Sequence, residues 1–235
     1  MFLFDTERQQ QYLQIDKIAD RLPQIARTLD TDIDTHKWLV ESSAKRMIFD
    51  AVYHDLLEPS QQKQRVLDVG GGYTALTRIL VEQHDYWTLD VGAHTDTLQI
   101  RQLEEDLGKP FWICEDWQQH PPDDPYQIVI ANDIFPNVDQ RLELFLNTYL
   151  PLCRELRLTA TYFHRDHWYR TQRVDADEIL HVLTWNGAQL KQVLNKYRSC
   201  IANPDLDLLL KPRPSPFAND RQVAMITFRG ERALS

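Results

Sequence analysis

Three consecutive glycines, Gly70-Gly71-Gly72, follow the apolar run Arg65-Val66-Leu67-Asp68-Val69 and open a stretch with helical spacing. Lacking side chains, such a loop lets backbone N–H groups and a helix N-terminus approach a ligand closely. Asp90 closes the next apolar run, Tyr86-Trp87-Thr88-Leu89. That is roughly twenty residues on, where a carboxylate can accept both hydroxyl protons of a ribose. A helix N-cap or a solvated turn is the plainer role for Asp90. Asp68 stands inside the first strand, where packing alone asks for no charge. The dinucleotide pattern G-x-G-x-x-G would want glycines at 70, 72 and 75. Position 75 is Ala75, which that pattern tolerates, so the loop alone leaves its ligand open.

A second group of chemically capable residues is Thr161-Tyr162-Phe163-His164-Arg165-Asp166-His167-Trp168-Tyr169-Arg170. A histidine such as His164 could take a proton from an acceptor. The faces of Tyr162, Trp168 and Tyr169 could stabilise a cation, worth up to ~2 kcal/mol when desolvated. His164, Asp166 and His167 match no metal spacing, and octahedral magnesium would want more carboxylates, so no metal is expected. A solvated amphipathic turn is the plainer reading of each histidine.

The elements that must carry these residues fall into three zones. Residues 1–60 contain no glycine, and Leu13, Ile15, Ile18, Leu22, Ile25, Ala26 and Leu29 recur at helical steps, with Pro23 kinking or dividing the run. A second helix is expected from Asp34-Thr35 to Pro59. From residue 65, apolar runs at 65–69, 86–90, 111–114, 126–131 and 156–162 alternate with helical stretches, one of them from about Thr95 to Leu107. The run 119–125, with Pro121, Pro122 and Pro125, suits neither element. Strands that alternate with helices and show little polar patterning predict a mostly parallel sheet covered on both faces. Beyond it, helices are expected over 175–185 and 187–197, then strands at Leu206–Leu210 and Gln222–Phe228 as an antiparallel edge. The fold class is therefore α/β, with a helical cap at 1–60 and the main domain at 61–235.

The segment VLDVGGGYTAL resembles motif I of the class I S-adenosylmethionine (SAM)-dependent methyltransferases, D/E-x-G-x-G-x-G: Asp68, Gly70 and Gly72 match, and Thr74 replaces the last glycine. The order of elements from about 60 to 230 is similar too. The resemblance implies SAM as cofactor, held by Asp68, Gly70, Gly71, Gly72 and Asp90, with Asp90 on the ribose. A carboxylate at 68 suits a ligand that carries an ammonium and a sulfonium. The resemblance also implies that Asp116, with Glu115 in reserve, meets the adenine amino group beside Trp117. Trp117 reads equally as an apolar plug under the Pro-rich loop. Asn132-Asp133 would lie near the methionine moiety and the reacting centre, and a strand-ending turn is the alternative for Asn132. Asn132, Tyr162, Tyr169 and His164 are the candidate catalytic residues.

Composition narrows the substrate. A net charge of −9 argues against the nucleic-acid backbone as main partner, and no apolar run approaches a membrane span. Cys114, Cys153 and Cys200 fit neither a disulfide framework nor a zinc pattern, and the N-terminal residues lack signal-peptide character, so a cytoplasmic location is expected. The cap reads as a structural cover, as a lid with Trp38 and Tyr12 as substrate contacts, or as a homodimer interface. Methyl transfer to a small molecule is the leading expectation. Internal cyclisation of SAM to azetidine-2-carboxylate, with release of methylthioadenosine, is the second, and a SAM-binding protein without catalysis the third.

Overall fold

The computed structural model describes residues 1–27, 34–59, 62–92, 97–120, 124–173 and 178–231. Strand β1 (Phe2–Phe4) is followed by helices α1 (Thr6–Tyr12), α2 (Lys17–Ile25), α3 (Asp34–Glu41) and α4 (Ser43–Leu57). The alternating part contains β2 (Arg65–Val69), α5 (Thr77–Gln83), β3 (Asp85–Leu89), α6 (Thr97–Leu107), β4 (Trp112–Ile113), β5 (Tyr126–Asn132), α7 (Leu142–Tyr149) and β6 (Cys153–Tyr162). It ends with β7 (His167–Arg173), β8 (Glu178–Thr184), α8 (Gly187–Asn195) and β9 (Gln222–Arg229). Leu29, Thr95 and residues 121–123 and 175–177 of the expected elements lie outside the described residues.

Seven strands form one sheet in the order β1-β9-β6-β5-β2-β3-β4. The inner pairs are parallel, and β9 runs antiparallel to both β6 and β1. This is the expected mostly parallel sheet with an antiparallel final strand. One core lies on the α7 and α8 side, around Phe135, Phe145, Tyr149 and Leu158. The other lies under α2, α4 and α5, around Ile18, Leu56, Val66, Leu80 and Ile130. Helix α4 is fastened to the sheet by Arg157 of β6, which donates to the Val52 carbonyl and pairs with Asp55, both at 2.6 Å. Among the described residues, no helix is long and apolar enough to cross a membrane.

Three local expectations are corrected. Residues 178–184 form a strand, not a helix, because they pair residue for residue with His167–Arg173 in a hairpin (Trp168 opposite Leu183, Tyr169 opposite Val182). Cross-strand pairing outweighs the weak helical spacing, and Ile179, Val182 and Thr184 suit a strand. Leu206–Leu210 is a 3₁₀ helix, not a strand. Both edges of β9 are taken, by β6 and β1, so no place beside it is left for that segment. The first residues are not helical: Phe2, Leu3 and Phe4 pair with Met225, Ala224 and Val223.

The start of the cap is therefore part of the sheet and the core. Leu3, Phe4, Tyr12, Ile18, Leu22 and Ile25 are all buried. At about 1.5–3 kcal/mol per buried side chain, their loss is on the order of the whole stability of a domain. A variant lacking residues 1–27 should accordingly fail to give a cooperative thermal transition in calorimetry, whereas a detachable lid would leave one.

Candidate active site

In an open α/β sheet, ligands bind outside the carboxyl ends of the parallel strands. Gly70-Gly71-Gly72, Asp90, Glu115-Asp116, Asn132-Asp133 and Phe163-His164 all follow such ends here. Arg221 lies at the same end, because β9 runs the opposite way and begins there.

Gly70 and Gly72 have φ of +63° and +62°, in the left-handed region that favours glycine. The Gly70 amide donates to the Leu89 carbonyl at 2.7 Å, which ties the loop to β3. A methyl group at Gly71 would stand 2.5 Å from the Asp68 carboxyl carbon, so that carboxyl group lies directly beneath the loop. A methyl at Gly72 would meet no atom within 4 Å, so this side of the loop is open. Asp90, half-buried, accepts from the Gly72 amide at 3.2 Å and from the Gly92 amide at 2.7 Å.

Asp68 is fully buried. Its Oδ2 accepts from the hydroxyls of Tyr53, at 2.7 Å, and Tyr86, at 2.5 Å. Its Oδ1 has no partner among the described residues. Burial pushes the carboxyl up to about 7, the two tyrosine bonds pull it down, and the charge of Asp90 pushes it up again. Burial, and then the charge of Asp68, hold both phenols well above their usual range. Asp68, expected among the cofactor-binding residues, is buried beneath the loop and bonded to two tyrosines. Asp68 is a buried support of the loop.

On β5, the Asn132 amide oxygen accepts from Thr159 at 2.7 Å. Asp133 has φ of +61°. Its backbone amide donates to Thr159 Oγ1 at 2.8 Å, its Oδ1 accepts from Thr161 at 2.9 Å, and its Oδ2 faces Arg221 Nη1 at 3.3 Å. Four interactions of this pair with β6 and Arg221 fix a backbone shape that a lone aspartate adopts only under constraint.

Tyr169 is half-buried and donates to Asn137 Oδ1 at 2.8 Å. His164 is exposed, and its Nε2 accepts from the Arg213 amide at 3.3 Å. Tyr162 lies elsewhere: it is 0% exposed, and its hydroxyl has no partner among the described residues. It packs within the core, not as a wall of an open site. Trp117 is also a core residue at 6% exposure, set edge-on against Phe135, Phe145 and Tyr149, with its N–H on Asp139 at 2.8 Å. Arg141 lies 4.6 Å above the same ring. The apolar-plug alternative describes it.

Asp116 is held by Arg141 at 2.9 Å, and that guanidinium keeps its carboxyl below the usual range. Its other oxygen caps the Gln118 amide at 2.9 Å. Glu115 is exposed beside His120 at 3.1 Å. Neither acid is set apart for a ligand by the fold. Tyr12 turns inward to Asp16, at 2.8 Å, and Trp38 is exposed with Lys45 Nζ 3.8 Å above its ring. Among the described residues, no three His, Cys, Asp or Glu side chains are gathered as for a metal.

Several residues here were missed from sequence: Tyr53, Tyr86, Lys45 and Arg221. One signal was present. Lys45, Phe49 and Tyr53 recur at four-residue steps and so share one face of α4.

No protein-family model and no curated protein matches the sequence. Solved structures do share its fold. DhpI in complex with SAH matches with a TM-score of 0.54 at 14% identity, over 92% of this chain and 97% of that one. The 1,6-didemethyltoxoflavin-N1-methyltransferase of Burkholderia thailandensis, with 1,6-didemethyltoxoflavin and S-adenosylhomocysteine bound, matches at 0.51 and 15% identity, over 94% and 89%. Magnesium protoporphyrin IX methyltransferase of Synechocystis with bound SAM matches at 0.50 and 15%, over 90% of both chains. The chain has the Rossmann-like fold of the class I methyltransferases.

The Asp68 carboxyl makes stability depend on pH. In the unfolded chain it ionises near 4, and in the folded protein near 7. Between these values the folded state binds more protons, so the contribution of this group to stability falls as pH rises through the window, by up to about 1.4 kcal/mol per pH unit. Asp68→Asn should flatten that fall. Denaturant unfolding at pH 5 and pH 8 checks it: the wild type should lose more stability between the two than the variant.

Proposed function

We propose that the protein is a SAM-dependent methyltransferase that acts on a small molecule. The observation that carries this reading is the glycine loop after β2. Two of its glycines have left-handed backbone, one side is open, and Asp90 stands against the Gly72 amide. These residues fit a nucleoside-bearing, positively charged ligand. Asp90 would hold the ribose, and Gly70–Gly72 would lie against the amino-acid part. Asn132, kept in place by Thr159, would fix the ammonium end. The uncapped Oδ1 of Asp68 adds negative polarity below the loop.

When bound, SAM supplies an activated methyl group. The residues of the chain then have to align the acceptor and exclude water, with at most one base. Asp133 and Tyr169 stand at the reacting end and are the groups best placed for that work, and His164 is at its rim. The matched structures named as methyltransferases include two whose small-molecule substrates appear in their names, which supports a small molecule here. Free cysteines at 114, 153 and 200 support a reducing, cytoplasmic setting.

Calorimetry with SAM tests the ribose assignment. Asp90→Ala should weaken binding at least ~10-fold through loss of a charge-assisted contact, and NADH should not bind. Equal affinity in the variant would remove Asp90 from the site, and tight NADH binding would remove the reading.

The cyclising alternative is separated by what remains on sulfur. Methyl transfer leaves S-adenosylhomocysteine and needs an acceptor; cyclisation leaves methylthioadenosine from SAM alone. Mass spectrometry of SAM incubated with the purified protein should show no methylthioadenosine above background. A clear excess of it would establish cyclisation in place of transfer.

A further inference from the structure

Lys45 stands in an unfavourable place for a lysine. It lies in the first turn of α4, where the helix dipole disfavours a cation and where α4 has no acidic residue. Its neighbour Arg46 is neutralised by Asp16 at 2.8 Å and caps the Leu39 and Val40 carbonyls. Lys45 has no such arrangement. Among the described residues its ammonium makes no hydrogen bond or ion pair, only the contact with the Trp38 ring at 3.8 Å. Burial lowers its pKa, Asp133 raises it and Arg221 lowers it, which places all three charges in one neighbourhood. Arg221 itself is only 15% exposed, is stacked 4.1 Å from the Phe217 ring, and shares Asp133 at 3.3 Å. Arg213, whose carbonyl accepts from Gln222, is matched by Asp5 at 2.8 Å. Asp133 thus already pairs with Arg221, and the ammonium of Lys45 adds a second cation to that group with no acidic partner of its own among the described residues. A partly desolvated charge of this kind costs stability unless something answers it.

We propose that Lys45 and Arg221 bind an oxyanion of the acceptor, so that the substrate of this enzyme is a small molecule bearing a carboxylate or a phosphate-type group. This rests on the methyltransferase reading for the word acceptor, but not for the anion site itself. Lys45 answers the anion with its ammonium. Arg221 keeps Asp133 in place with one edge of its guanidinium and offers the other edge. Trp38 and Phe217 supply apolar walls behind the two cations. The anionic end would thus be anchored between the cap and β9, and the rest of the molecule would extend toward Asn132 and the glycine loop.

The test uses NMR titration of the isotope-labelled full chain with inorganic phosphate and, separately, acetate, with sodium chloride at equal ionic strength as reference. Each titration is run with and without S-adenosylhomocysteine. The expected result is saturable shifts at residues 44–46, 133 and 221 that chloride does not produce. Lys45→Met and Arg221→Gln should each weaken the apparent affinity at least ~10-fold. Lys45→Arg, which keeps the charge, should stay within threefold, as should Lys196→Gln, which alters a distant ion pair. Tighter phosphate than acetate points to a phosphorylated or phosphonylated acceptor, and the reverse to a carboxylic acid. Absence of saturable binding of either probe, or equal affinity in Lys45→Met and the wild type, overturns the proposal. Failure of S-adenosylhomocysteine to bind overturns the methyltransferase reading instead and leaves the anion titration to be judged by itself.

Discussion

The carboxyl group of Asp68 beneath Gly71 is the constraint on which the site is built. A fully buried acid is costly, and two tyrosine hydroxyls on one oxygen offset part of that cost. Those tyrosines come from different layers: Tyr86 from the neighbouring strand and Tyr53 from α4. One side chain therefore fixes the distance between the sheet, the glycine loop and the helical cap. It also explains why residue 71 must be glycine, since any Cβ would strike the carboxyl. Loop shape and cap position are consequences of a single buried group.

Helix α4 is the second organising element. Its lower end is clamped to β6 through Arg157 and Asp55, its middle sends Tyr53 to Asp68 beneath the loop, and its first turn carries Lys45 on the same face. A rigid rod anchored at one end can hold a group at the other with little loss of precision. The same logic applies on the far side, where Thr159 and Thr161 of β6 hold Asn132 and Asp133. The polar residues of the site are thus positioned by hydrogen bonds to regular elements, not by loops alone.

Much of this architecture was legible in the sequence. Strands with apolar runs broken by glycine, acid and helix gave the parallel sheet and the antiparallel β9, because burial on both faces leaves a plain signature. The turn shape at Gly70 and Gly72 and the position of Asp90 beside it were legible because few backbone shapes place an amide row next to a strand end. The aromatic stretch was read less well. Tyr162 and Tyr169 look alike in sequence, but they fall on opposite sides of the strand-to-hairpin break, one in the core and one at the site. Trp117 and Asp116 were assigned by position after β4, but Arg141, distant in sequence, meets both. Local pattern put Lys45 and Tyr53 on one face of α4 but said nothing of Arg221 or of the groups that all three meet across the fold. Strand β1 was hidden because three residues are too few to show a period.

That strand also sets the order in which the molecule can be finished. Phe2, Leu3 and Phe4 have their partners at Met225, Ala224 and Val223, so β1 is made long before the strand it pairs with. During synthesis β1 must wait as an unpaired, apolar edge until β9 has emerged and settled against β6. The parallel strands between them can assemble in the meantime, but the sheet stays open on that side. Strands β1 and β9 therefore depend directly on each other. A nascent chain stalled short of β9 would present β1 as a sticky edge, the form of this protein most in need of a chaperone.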